Sequence, residues 1–167
     1  YRDLPEADVI IFNIGNRPAH WGDMPKKLGY LDLMHVASWQ ISFKRESIVN
    51  NNVYFDEHMG AGSGNGAEEE FRFLTDCRKN GLAIYYVPFV IADVAQTKST
   101  WFKGYNEEFF INRGNTTRYI MGYVPAVLYA AYYSIRKRHQ FDSDISWFKA
   151  FRLIMKGIHE NRLGKKK

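Results

Sequence analysis

The chain reads as an α/β sheet domain followed by a basic, helical extension, and three observations predict this. The β-branched apolar run Ala7–Ile14 (ADVIIFNI) stops at Gly15-Asn16, as a buried strand stops at a turn. Glu69–Lys79 follows a helical period, with acids in its first turn and bases in its last. Beyond about Arg113 the composition shifts to long apolar stretches and an excess of positive charge.

The intervening elements follow in order. Residues 17–29 (RPAHWGDMPKKLG) hold two prolines and two glycines, which is loop chemistry. Val36–Phe43 mixes apolar and polar positions as a strand candidate, and Lys44–Val49 has one short helical turn before Asn50–Asn52 breaks it. In the helix over 69–79, Phe71, Leu74 and Cys77 fall three apart beside Phe73, and Asn80-Gly81 is the expected C-cap. Ala83–Ala95 is extended, with Pro88 placing it at an edge or splitting it into two strands. Strand, loop, strand, loop, helix, strand is the pattern of an α/β sheet.

Tyr119–Ile135 is 17 residues without a charge, short for a membrane span and interrupted by Gly122 and Pro125. Asp144–Asn161 is a second helix. Ile145, Phe148, Phe151, Ile154 or Met155, and Ile158 make its apolar stripe, opposite Lys149, Arg152, Lys156 and Glu160. Two readings compete for 119–167: an amphipathic region lying on an anionic membrane surface, or helices packed on the sheet domain or on another subunit.

With 167 residues, 46% hydrophobic and 16% aromatic, the chain can build a core and is not a disordered polymer. The net charge of +5 is unevenly placed. Residues 1–135 carry 13 Lys and Arg against 15 Asp and Glu, whereas residues 136–167 carry 10 against 3. A nucleic-acid binder needs a continuous basic patch beside stacking aromatics, so this segregated charge argues against that class. The single cysteine, Cys77, cannot form an internal disulfide and points to a reducing, cytoplasmic setting. Tyr1 is no initiator methionine, so the chain is expected to be a piece of something longer.

The densest chemistry lies between Phe55 and Asn80. Glycines at 60, 62, 64 and 66 precede three glutamates, Glu68, Glu69 and Glu70, that open the helix. Glycine lets backbone approach a ligand closely, and a helix end holds a carboxylate in a fixed direction. A carboxylate so held can take a proton from a hydroxyl. Crowding raises the proton affinity of adjacent acids while the helix dipole lowers it, so the sign for any one of them stays open. A solvated helix start is the competing reading. The spacing is neither a Walker loop nor a dinucleotide fingerprint. The one Asp-x-Asp, Asp142-Ser143-Asp144, begins a helix and reads as an N-cap, and the five histidines lack ligand spacing.

Several pieces together resemble the second half of the catalytic domain of family 2 glycosyltransferases of the bacterial polysaccharide type. They are FKRESI at 43–48, YFDEHMGAGSGNG at 54–66, EEEFRFLTDCRKNG at 68–81, IYYVPFVIADV at 84–94 and STWFKGYNEEFFINRG at 99–114. The resemblance implies the acceptor-side half of a GT-A domain (nucleotide-diphospho-sugar transferase, Rossmann-like) over 1–113 and a basic helical region over 114–167. It also implies inverting transfer from a nucleotide-sugar donor to the hydroxyl of a saccharide or lipid-linked acceptor, in polysaccharide or glycolipid synthesis. By position, Glu70 takes the place of the family's base, with Glu69 beside it. Glu stands where Asp is usual, which moves the carboxylate by one methylene. Asp56 resembles the acid of the family's F-D-E segment, with turn-forming Asx chemistry after a strand as its other reading, and Gly64, Gly66 and His58 lie in the loop on the acceptor's path, His58 reading equally as a solvated loop histidine. Trp101 is the ring best placed to stack on a sugar. The family's metal-binding Asp-x-Asp would precede ADVIIFNI, and residues 93–101 hold no histidine. Mg2+ or Mn2+ and the donor are therefore expected only in a longer polypeptide, and this chain alone is expected to bind no metal and to be inactive. The rival class is a non-catalytic module that binds carbohydrate or protein.

Overall fold

The computed structural model describes residues 1–15, 21–60, 63, 68–95, 102 and 104–165. The chain forms two compact units, one of Tyr1–Asp56 with Glu68–Thr97, the other of Glu57–Ala67 with Lys98–Lys167.

The first unit is mixed α/β. Its four strands are β1 (Val9–Ile14), β2 (Lys26–Lys27), β3 (Ile41–Phe43) and β4 (Ile84–Ala92), in the order β2-β4-β1-β3. β1 and β4 are parallel, while β2 and β3 run antiparallel to their neighbours. Two helices, α1 (Arg45–Asn50) and α2 (Glu69–Lys79), lie in the crossover between the parallel strands. Val9 and Ile11 are fully buried, as are Leu74 and Cys77 of α2, so strand and helix contribute to one core. β4 is not split, and β2 covers only its Tyr85 and Tyr86, so among the described residues it pairs with β1 alone beyond them, where Pro88 lies. It runs unbroken between β2 and β1 and absorbs Pro88 as a bulge, the register stepping from Phe12 opposite Val87 to Asn13 opposite Val90. A residue without an N–H fits where the ladder is already interrupted.

Asp8 ties this unit together. Its N–H donates to the Ala83 carbonyl (2.9 Å), and its Oδ2 accepts from the Ala83 N–H (2.8 Å). Its Oδ1 accepts from Ser47 Oγ (2.6 Å), and its carbonyl from the Lys44 N–H (2.9 Å). One short side chain thus joins the start of β1, the start of α1 and the entry to β4. Of the expected strand over 36–43, only 41–43 pair with β1. Ser38–Gln40 tighten into a 3₁₀ turn, in which the Gln40 side chain accepts from the Ala37 N–H and donates to the Phe12 carbonyl.

The second unit is helical, with α3 (Glu107–Met121), α4 (Tyr123–Arg136) and α5 (Trp147–Glu160). The Asn106 side chain caps α3 by accepting from the Phe109 N–H (2.9 Å). Ser146 caps α5, so the N-cap expected at Asp142–Asp144 lies upstream of the true one. Phe110, Ala126, Ala130, Phe141 and Ile154 are wholly buried and form its core. Arg113 sits inside this apolar set with its guanidinium 4.9 Å from the Phe109 ring and 4.5 Å from the Tyr133 ring, donating to Tyr129 Oη (2.8 Å). Aromatic faces hold this half-buried cation. The expected division at 113/114 falls inside α3, because Phe110 and Ile120, on either side of it, are both buried on that helix.

Gly122 divides the uncharged run, with φ 86° and ψ 179°, a region closed to side chains. Among the described residues no helix is long and apolar enough to cross a membrane. The stripe of α5 offered to a membrane is mostly turned inward: Ile145, Ile154 and Ile158 are buried, and only Phe148 of that row is well exposed.

Candidate acid pair at the start of α2

The predicted helix over 69–79 coincides with α2, and its ends show why. At the C-terminus the Leu82 N–H reaches the Cys77 carbonyl (3.0 Å) and the Gly81 N–H the Arg78 carbonyl (3.0 Å), with Gly81 at φ 81°. That is the paired bond of a Schellman stop. At the N-terminus Glu68 stands just outside the helix at φ 88°, a left-handed conformation costly for a side chain. Glu69 is the first helical residue and Glu70 the second.

The two acids differ in environment. Glu69 is four residues before Phe73 and eight before Cys77, so it shares their inward row. Phe73 is almost fully buried, with the Phe55 ring stacked on it at 4.2 Å and Phe43 tilted against it at 5.6 Å. One carboxylate oxygen of Glu69 is buried without a hydrogen-bond partner. Burial pushes its proton affinity up, its own backbone N–H pulls it down, and the charges of Glu70 and Glu68 push it up again, leaving it raised. The open question of sign is thus answered for Glu69. Glu70 is half-buried on the adjacent row, above the buried Leu74.

The other expected site residues are not all brought together. Asp56 is half-buried in the same unit, directly after the Phe55 that stacks on Phe73. His58 is exposed and belongs to the second unit. Gly64, Gly66 and Trp101 lie outside the described residues. One acid was missed. Asp93 follows the carboxyl end of β4, and its Oδ1 lies 2.5 Å from where a Cβ on Gly15, at the end of β1, would sit. Carboxyl ends of adjacent parallel strands are where open α/β sheets hold ligands. The sequence signal was present, a glycine closing one apolar run and an acid closing another, but the parallel pairing that joins them is not local.

Among the described residues no group of three His, Cys, Asp or Glu side chains is arranged to hold a metal ion. Comparison with protein-family models, with curated proteins and with solved structures gives no match.

Proposed function

We propose that this chain is the acceptor-side part of an inverting nucleotide-sugar glycosyltransferase with a GT-A sheet, and that Glu70 is its base. The observation that carries this reading is the start of α2. Two adjacent acids stand on the first helical turn, and Glu69, beside the proposed base, has a desolvated oxygen and a raised proton affinity. Perturbed acids on rigid element ends are candidates for proton transfer. The mixed sheet, in which α2 leads into the parallel strand β4, supports the same reading.

In the proposed step the acceptor oxygen attacks the anomeric carbon and its proton passes to Glu70. The bond to the nucleoside diphosphate breaks on the opposite face, the diphosphate leaves with the electron pair, and the configuration inverts. Donor and cation belong, in this reading, to chain outside these residues. The acceptor is a saccharide or lipid-linked sugar, and the setting is bacterial polysaccharide or glycolipid synthesis on the cytoplasmic side.

The test is transfer from UDP-hexoses by this chain expressed in one polypeptide with the coding sequence upstream of it, with Mn2+ present. Transfer with inversion that depends on Glu70 supports the proposal. Saccharide binding that Glu70→Gln leaves unchanged, with no transfer, assigns the chain instead to the non-catalytic binding class.

A further inference from the structure

α4 has two faces. Ala126, Ala130, Tyr133 and Ser134 turn into the helical unit and are buried. Val124, Leu128, Tyr132 and Ile135 do not, and remain 66%, 67%, 53% and 54% exposed. Steps of four, four and three place them in one row about 17 Å long on a helix rising 1.5 Å per residue. No Asp or Glu occurs anywhere between Tyr119 and Phe141. Arg136, Lys137 and Arg138 follow at the end of the row; both arginines are exposed, and among the described residues neither has an acidic partner.

We propose that this face of α4 is an interfacial binding surface for anionic lipid. The row enters the boundary between headgroups and acyl chains, and Arg136–Arg138 meet the headgroup phosphates. At 14 residues the helix is about 21 Å long, too short for a hydrocarbon core of about 30 Å, so it lies on the membrane. Charge selects the occupant: α4 and the Arg136–Arg138 run carry no acid, and although exposed Asp142 follows one turn after Arg138, the three cations at the end of the row outnumber it and complement an anionic surface. A second copy is the poorer fit. Four side chains offering on the order of 200 Å² each when fully exposed, and here only half to two-thirds exposed, fall well short of the roughly 800 Å² per partner of a stable dimer. The inference does not rest on sugar transfer.

The experiment is flotation of the full chain with phosphatidylcholine vesicles, with and without phosphatidylserine, at low and high salt. The chain is expected to float with the phosphatidylserine vesicles and to be released by salt. Leu128→Glu should abolish flotation, with Leu128→Ser as the second variant if the first does not fold. Arg136→Gln and Arg138→Gln should each lower partitioning about fivefold. All the folded variants should melt as the parent does, since these side chains are exposed. Failure of the parent to float, equal flotation with both vesicle types, or parent-like flotation of folded Leu128→Ser and Leu128→Glu overturns the proposal. So does a dimer in sedimentation equilibrium that Leu128→Ser dissociates while vesicles bind neither protein.

Discussion

Gly114 and Gly157 face each other where α3 crosses α5. A Cβ added at Gly114 would lie 3.0 Å from Gly157 Cα and would be driven into the Ile154 carbonyl oxygen, and one added at Gly157 would meet the Ile111 carbonyl oxygen. The obstacles are main-chain atoms that no rotamer change can move. Gly114→Ala or Gly157→Ala therefore forces the helices apart. Ala is the better helix former by about 1 kcal/mol, but overpacking against fixed backbone costs more, about 1–3 kcal/mol on the usual scale and towards its upper end here. Each single variant should lower the urea midpoint of the helical unit. The double variant should lose less than the sum, because the first methyl already opens the crossing.

Gly122 is needed for a different reason. Nothing lies within 4 Å of a Cβ built there, yet its φ of 86° with ψ of 179° suits only glycine. Gly122→Ala should cost about 1–3 kcal/mol through backbone strain alone, and Gly122→Asn should give no rescue, since asparagine tolerates the left-handed helical region and not this one. Thermal melts of the two variants decide this: a melt unchanged from the parent in Gly122→Ala would show that the turn relaxes freely.

Cys77 reports on opening of the sheet unit. Its side chain is fully buried and its thiol is pushed up to about 12, by burial first and by the Asp76 charge second. The thiolate is the reactive form, and at pH 8 its population should fall by about three orders of magnitude relative to a free thiol near 8.5. A disulfide exchange reagent should leave the native chain unmodified at pH 8 and titrate one thiol in urea. Rapid modification without denaturant would mean that the core around α2 opens readily.

These residues show what was legible in the chain. α2 was readable to its last residue because its apolar spacing, terminal charges and glycine stop are all local and agree. β1 was readable because a β-branched run has few alternatives. α3 was not, because its sequence EEFFINRGNTTRYIM buries Asn115, Thr116 and Thr117. Those polar groups are satisfied largely within the helix, Thr117 Oγ1 donating to the Arg113 carbonyl (2.6 Å), while Asn115 Oδ1 accepts from the distant Arg162 N–H (2.7 Å). Gly114 reads as a helix breaker until Gly157 is seen beside it. At the candidate site the acids were readable from their position on a helix end. The burial of Glu69 was not, since it depends on α2 packing its Phe73 row inward and on Phe55 stacking there from another part of the chain.

The raised proton affinity of Glu69 makes a signed prediction. A carboxyl whose folded value exceeds its unfolded value stabilises the fold while protonated, below about pH 4.3, and loses that contribution as pH rises through the folded value. At neutral pH its ionised form is a liability of the folded state. Glu69→Gln should raise the melting temperature at pH 7, and the difference from the parent should shrink towards zero near pH 4. A variant less stable than the parent at pH 7 would show that attraction of the charge to the helix N-terminus outweighs its desolvation.

Glu70 carries the chemical claim, and three substitutions separate its roles. If the proposed transfer is assayed in a polypeptide extended upstream, Glu70→Gln keeps the side chain's shape but cannot take a proton, so transfer should fall by about 10²–10⁴. Glu70→Asp keeps the base and shortens the arm by one methylene, an error in reach on the scale of 1 Å that costs up to about 10². It should therefore retain more activity than Glu70→Gln. Glu69→Gln should leave more still, because the base remains and only its neighbour's charge is removed. The ordering Glu69→Gln above Glu70→Asp above Glu70→Gln, measured as kcat/KM for the acceptor, is the expected result. Should Glu69→Gln be the most damaged of the three, the proton acceptor is the half-buried carboxylate of Glu69, and Glu70 only positions it.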